Sequence, residues 1–522
     1  MNHDGSRGAA FLVASGIFLS RIAGLIRNKV FAFYFGSSMA ADALNAAIRI
    51  PNLLQNLFGE GVLSASFIPE YAGLLAHGKK QDADKLAGAV AAALALTSAV
   101  VVLAGVLAAP ALVSLIAGGF TGERRELTVQ LTRILFPGAG LLVLSAWCLG
   151  ILNSHRKFFV SYTAPVVWNA AMIGALVGFG SGTPQVRLAE IVAWASVVGS
   201  ALQFGVQLPL VLRLAQGVKL NFDVGTASSR MVFRNFVPAF ISRGVVQISA
   251  YIDAFIASWL PTGAVAVFAY AQVLYTLPVS LFGMAVSAAE LPIMASATGS
   301  SQEIASYLRG RLDGGLKRIA FYIIPSAVAF LALGDVISAV LFESGRFTRA
   351  DSIWVWQILI GSTIGLLAST WGRLYSSTFY ALRDTRTPLR FAIVRVALTT
   401  ALGYIAALRL PGWLGVDARL GVAGLTASAG IAGWVEFYLL RRALAQRIGP
   451  TRVAASVTLR LWVAAFLAAA IAWGFKLGIS SAHTVLTGLV IIAVYGVSFL
   501  LIATLMGIPE ANELTARLRR LR

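Results

Sequence analysis

SRIAGLIRNKVFAFYFG (residues 20–36) and ADALNAAIRIPNLLQNLFGEG (residues 41–61) open the chain with two apolar runs that carry charge inside them. The apolar residues are continuous rather than alternating, which excludes the pattern of a membrane β-strand and specifies helix. Arg21, Arg27, Lys29 and Arg49 interrupt these runs. A cation at the centre of a membrane helix costs about 2.5–3.5 kcal/mol, so each needs a partner, an interface or a task. The apolar core from Phe11 to Leu19 has the length of a secretory leader. Arg21 follows it at once and no small-x-small cleavage site precedes a soluble domain, so the run reads as a mature helix.

Similar runs recur along all 522 residues. Fourteen are long enough to span a bilayer, about 20 residues each. They lie near 9–36, 40–76, 86–118, 129–152, 158–180, 188–212, 235–259, 264–293, 319–341, 352–380, 389–408, 420–440, 453–475 and 484–507. Composition agrees: 58% of residues are hydrophobic, 12% are charged, and mean hydropathy is +0.79. An ordinary soluble domain carries about twice that charge, so soluble enzymes, disordered chains and disulfide scaffolds are excluded. The fold class is an all-α polytopic membrane protein with about 14 transmembrane helices. Pro278 and Gly283 mark a hinge in the eighth run, and the longest loops fall near 213–234 and 294–318.

The formal charge is +20, from 42 Lys+Arg against 22 Asp+Glu. Sorted by loop, 25 cations lie on the side that holds both termini and 8 on the other. The positive-inside rule then puts both termini in the cytoplasm, so the surplus is topology and no nucleic-acid partner is expected. Nine cations remain inside or at the edges of spans: Arg21, Arg27, Lys29, Arg49, Arg133, Arg243, Arg373, Arg395 and Arg460.

Four of the nine sit in the opening pair of helices. Arg21 and Arg27 are about 240° apart around a helix, so they do not stack on one face, yet both can look into a wide cavity. A cationic cavity suits an anionic substrate, and the guanidinium fork suits phosphate oxygens. Lys29 and Arg49 also read as snorkelling cations at helix ends, and Asp42 as a carboxylate that pairs with a nearby cation to hold two helices together. Arg243 and Asp253 share the seventh run about 80° apart. Arg395 and Glu436 read as an interhelical pair, and Glu290 as interfacial.

The catalytic signatures are absent from the sequence. It has no GxxxxGK[ST] loop, no HExxH, no GxSxG and no Cys/His cluster, with Cys148 its one cysteine and His3, His77, His155 and His483 near segment ends. Transport without a cofactor or a metal is the favoured class, and no enzyme activity is expected.

The run from Ser20 to Leu75, with its PNLL…EG…SxxFIP portion, closely resembles the opening of the MurJ/MviN family of lipid II flippases. LFESGRFT (341–348) and RDTRTP (383–388) resemble two further stretches of that family, itself part of the multidrug/oligosaccharidyl-lipid/polysaccharide exporter superfamily. The resemblance implies two six-helix lobes around a central cavity plus two C-terminal helices. On this sequence they divide as an N-lobe over 1–215, a C-lobe over 216–445, and two helices with a basic tail over 446–522. It implies residence in the bacterial inner membrane. It also implies alternating access that moves lipid II, an undecaprenyl-diphosphate-linked disaccharide-pentapeptide, to the outer leaflet. The partners it implies are lipid II, membrane lipids and cell-wall synthases.

Arg21, Arg27 and Asp42 match family positions associated with function, and Asn52 and Glu60 match patterned positions of the second helix. Four positions depart from the family. Asn28 stands where an acidic residue is usual, Gln55 where a basic one is common, and Val273 with Thr276 where an arginine and a glutamate are typical. Arg243, mid-span on the seventh run, is the expected replacement cation. The substrate-binding set expected is therefore Arg21, Arg27, Asp42, Asn52, Glu60 and Arg243. An exporter of another polyprenyl-linked glycan, or a non-transporting scaffold of cell-wall synthesis, are the competing readings. Drug export is disfavoured, because cavity cations repel cationic drugs.

Overall fold

The computed structural model describes the chain apart from residues 1–2, 59, 222–225, 452–454, 480–483 and 521–522. The side chains of 3–14, 60–61, 65, 227, 237–250 and 517–520 also lie outside the described residues. The described residues are almost entirely helical and contain no strand, as continuous apolar runs require. They form two compact units, Met1–Ala266 and Val267–Arg522.

The first unit contains α1 (His3–Phe35), α2 (Met39–Phe58), α3 (Glu60–Ala76), α4 (Lys80–Leu107), α5 (Ala109–Ile116), α6 (Gly122–Ser154), α7 (Phe158–Phe179), α8 (Gln185–Leu214) and α9 (Ala227–Ser258). α1 stops at Gly36, whose φ of +55° suits a residue without a side chain. Gln185 Nε2 donates to the last carbonyls there, Tyr34 O (3.1 Å) and Phe35 O (3.2 Å). α2 starts where Ser38 Oγ accepts the Ala41 N–H (3.2 Å). α1 packs on α7, α2 on α6, and α8 on both α6 and α7. α9 lies on α2, α3, α4 and α5, and Gly119 N donates to Ser258 Oγ at 3.0 Å. Leu63, Phe67, Tyr71, Leu86, Trp147 and Ile151 fill the core between α3, α4 and α6.

α10 (Ala264–Pro278) carries the chain from the first unit into the second. The second unit continues with α11 (Ala285–Ala295), α12 (Ser301–Phe342), α13 (Arg349–Ala381), α14 (Arg386–Tyr404), α15 (Leu410–Leu414), α16 (Gly421–Ile448), α17 (Ala455–Gly478), α18 (Thr484–Leu505) and α19 (Pro509–Arg520). A π-helical turn, Val279–Met284, joins α10 to α11 and includes Gly283, with Pro278 just ahead of it. α13 packs on α12 and α16, and α17 and α18 pair with each other and rest on α12. α13 and α16 meet at Gly365 and Gly430 with backbone against backbone; a Cβ on Gly365 would sit 2.4 Å from Gly430 Cα.

Charges in this unit are satisfied across helices. Asp335 on α12 accepts from Lys476 Nζ on α17 (2.8 Å) and from the Arg349 guanidinium of α13. Glu290 on α11 is held by Arg311 (2.7 Å) and Arg318 (3.2 Å) of α12. The expected Arg395–Glu436 contact forms at 3.0 Å between α14 and α16.

Eleven helices among the described residues are long and apolar enough to cross a membrane. They coincide with eleven of the fourteen expected runs. The other three fall on α1, on α2 with α3, and on α9, which are not among the eleven. Two expectations about loops need correction. The stretch 294–318 is helical from Ser301, so Arg309, Arg311, Lys317 and Arg318 lie on α12 rather than in a loop. A capping box starts that helix in polar sequence: the Glu303 N–H binds Ser300 Oγ, and the Glu303 carboxylate accepts from the Ser300 N–H (2.8 Å). The stretch 213–234 is likewise helical from Ala227.

The RDTRTP turn is built on Asp384. Its carboxylate accepts the backbone N–H groups of Arg386 and Thr387 (both 3.0 Å), the Thr387 hydroxyl (2.7 Å) and Arg447 Nη2 (2.6 Å). These donors, the Thr387 backbone first, lower its pKa from 3.8 to about 2. A lowered folded pKa stabilises the protein fully above the unfolded value and stops doing so as pH falls through the folded one. Asp384→Asn is therefore expected to lower the Tm of the detergent-purified protein at pH 7, with a difference that shrinks steadily as pH falls from about 4 to about 2. A difference that stays constant across that range would show that the charge contributes nothing.

Candidate functional site

The polar residues that face inward in the first unit form a seam along α2. Asn52, Gln55 and Asn56 are spaced three and four apart, so they share one face of the helix. Asn52 borders a small cavity with Trp168 of α7 and Ser196 and Ser200 of α8. Gln55 and Asn56, one turn on, border a cavity of about 470 Å³ with Ser145 of α6, Ser161 of α7, and Gln203 and Gln207 of α8. Leu142 lines both, which makes them neighbours in one seam.

Helix spacing on α8 builds the far wall. Ser196, Ser200, Gln203 and Gln207 recur every three or four residues along an otherwise apolar helix. Gln207 Nε2 donates to the Gln203 carbonyl (3.0 Å) and to Ser145 Oγ (2.6 Å); Gln203 Nε2 donates to the same Ser145 Oγ (3.0 Å). Glutamine and serine thus tie α8 to α6 with neutral hydrogen bonds in a place where a charge would be costly.

Arg27 approaches the seam from α1. Its guanidinium lies 4.9 Å over the Trp168 ring, and its Nη2 donates to Asn28 Oδ1 at 3.0 Å. The indole is itself fixed, because Trp168 Nε1 donates to the Ser196 carbonyl (3.1 Å) and hydroxyl (3.2 Å). A desolvated cation over tryptophan gains about 2 kcal/mol, the same size as the cost of placing arginine in a membrane helix. A guanidinium has five N–H donors, so these contacts leave capacity for a ligand.

Asp42 belongs to neither cavity. It is wholly buried, and its carboxylate accepts from Gly263 N (2.7 Å), Ala266 N (2.9 Å) and Arg124 Nη1 (3.2 Å). It serves as the missing cap for α10, whose first backbone N–H groups it binds, and Arg124 balances its charge. Arg21 is exposed on α1. Glu60 starts α3 and Arg243 lies along α9, and both side chains fall outside the described residues. The structure therefore brings Arg27 and Asn52 together through Trp168 and sets Asp42 apart. Sequence reasoning passed over Trp168, Ser145, Gln203 and Gln207. The signal was two glutamines four apart inside an apolar run.

Comparison with known proteins gives concordant findings. A family model described as lipid II flippase MurJ matches residues 31–520. The chain is 33% identical over 452 residues to the lipid II flippase MurJ of Burkholderia cenocepacia, covering 84% of each. It is 28% identical over 527 residues to the probable lipid II flippase MurJ of Vibrio cholerae, covering 96% of each. A solved structure of lipid II flippase MurJ in an inward closed conformation matches with a TM-score of 0.77 at 23% identity, over 95% of this chain and 98% of that one. An inward-facing multidrug resistance MATE transporter of the MOP superfamily matches at 0.65 and 17% identity, over 81% and 95%. At these identities the structural matches establish the fold.

Removing the Asp42 carboxylate strands two buried N–H groups and a guanidinium. Asp42→Ala is expected to destabilise the protein by about 3 kcal/mol or more, read as a lower Tm in detergent, with Asp42→Asn in between. An unchanged Tm for the alanine variant would show that the α10 cap is dispensable.

Proposed function

The chain belongs to the lipid II flippase MurJ family, and from that premise we propose that it moves an undecaprenyl-diphosphate-linked glycopeptide from the inner to the outer leaflet of the bacterial inner membrane. It does so by alternating access, with both termini in the cytoplasm, as the loop cations favour. Arg27 on its Trp168 platform is the observation that carries this reading. The cation is oriented by the indole face and donates to Asn28, a neighbour that accepts an N–H without cancelling the charge. An acidic residue at 28 would have formed a neutral pair. With asparagine the positive charge stays available, and a guanidinium fork matches the paired oxygens of a diphosphate.

In this reading Arg21, about 9 Å farther back along α1 and exposed, meets the anion before Arg27 does. Asn52 adds a neutral donor beside the same tryptophan. Asp42 supports the site indirectly, by fixing the start of α10 against α2. The sequence has no nucleotide-binding loop, so the work comes from gradients. The membrane potential supplies about 2.3 kcal/mol per charge per 100 mV, enough to bias a two-state carrier.

Native mass spectrometry of the purified protein with lipid II against undecaprenyl phosphate tests the clamp. The wild type is expected to retain lipid II preferentially. Arg27→Ala should lose that preference by about 10- to 100-fold, the range for a charge-assisted hydrogen-bonded contact. Equal retention of both lipids, indifferent to the substitution, would refute it.

A further inference from the structure

The 470 Å³ cavity has a chemistry the diphosphate does not use. Its volume lies in the range of ligand sites, about 300–1,000 Å³, and far exceeds the roughly 30 Å³ that one water occupies. Among the described residues that line it, none is titratable. A charged group entering it would lose hydration and find no counter-ion, so the cavity selects against charge.

What it offers is a donor and an acceptor side by side. The Gln203 carbonyl can only accept, so the Gln207 amide nitrogen must lie on that side and its oxygen must point the other way. That Oε1 has no hydrogen-bond partner among the described residues, although Gln207 is only 1% exposed. Ser145 Oγ already accepts two amide N–H groups, which leaves its own hydroxyl hydrogen to donate. An acceptor on Gln207 next to a donor on Ser145 matches the N–H and C=O of an amide, or a pair of hydroxyls. Ser161, Gln55 and Asn56 extend the same neutral character around the cavity.

We propose that this cavity seats the uncharged, hydrogen-bonding part of the substrate headgroup: the acetamide and hydroxyl groups of its glycan, or the amides of its peptide. The inference rests on the flippase reading above, and it adds a second subsite to the diphosphate clamp. The two are connected through Leu142, which lines the cavities on both sides. Along α2 they are one turn apart, about 5 Å, so a single headgroup reaches both. The cationic clamp recognises any polyprenyl diphosphate; the neutral cavity distinguishes those that carry the glycopeptide.

The test uses the full chain and three probes: undecaprenyl diphosphate, the same lipid bearing the disaccharide without peptide, and complete lipid II. Gln207→Leu is expected to leave undecaprenyl diphosphate binding unchanged and weaken lipid II about tenfold, the worth of one or two neutral hydrogen bonds. Ser145→Ala, which removes a single hydroxyl, should give the same selective loss and serves as the second variant. If the peptide-free lipid is weakened too, the occupant is the glycan; if it is not, the occupant is the peptide. Lipid II bound at wild-type strength by the folded variants, or an equal loss for all three probes, overturns the inference. A wild type that fails to prefer lipid II over undecaprenyl phosphate overturns the flippase reading itself, a result visible before any variant is made.

Discussion

A polar group between membrane helices cannot fall back on water, so the chain must supply its partner. Most of this structure follows from that demand. Asp335 draws α12, α13 and α17 together because its carboxylate takes both Arg349 and Lys476. Glu290 binds α11 to the N-terminal half of α12 through two arginines, and Glu436 binds α16 to α14 through Arg395. In the first unit, Asp42 gathers two backbone N–H groups and Arg124. Against this background, groups with spare capacity stand out. Arg27 keeps its charge and most of its donors, and Gln207 keeps a buried acceptor. Gln207 borders the seam between α2, α6, α7 and α8, and Arg27 reaches it by stacking on Trp168.

The same demand refines the charge asymmetry. On the side with few cations, Arg124, Arg187, Arg349 and Lys476 each hold a carboxylate. Arg349 and Lys476 share one of them, Asp335.

The helical architecture was legible because hydrophobic length is a local property. A run such as 484–507 announces α18 without knowledge of its neighbours. Polar helices were less legible. The start of α12 hid behind low hydropathy, although Ser300 and Glu303 carried the capping signal three residues apart. The site was legible only in part. Arg27 drew notice as a buried charge, but its meaning depends on Trp168, and that ring is aimed by a carbonyl on α8. Asp42 looked like a substrate ligand from its position. Its main partners are backbone N–H groups 221 and 224 residues away, and no side-chain pattern encodes those. Gln203 and Gln207 were present in plain view; their use emerges only when α6 brings Ser145 between them.

The central claim is that the headgroup of a lipid-linked glycopeptide occupies the neutral seam of the first unit. A photo-crosslinking amino acid at Leu149, which lines the larger cavity, tests it most directly in membranes that synthesise lipid II. Irradiation followed by mass analysis of the intact chain is expected to give an adduct with the mass of lipid II. An adduct with phospholipid alone, in protein that is folded and inserted, would contradict the account.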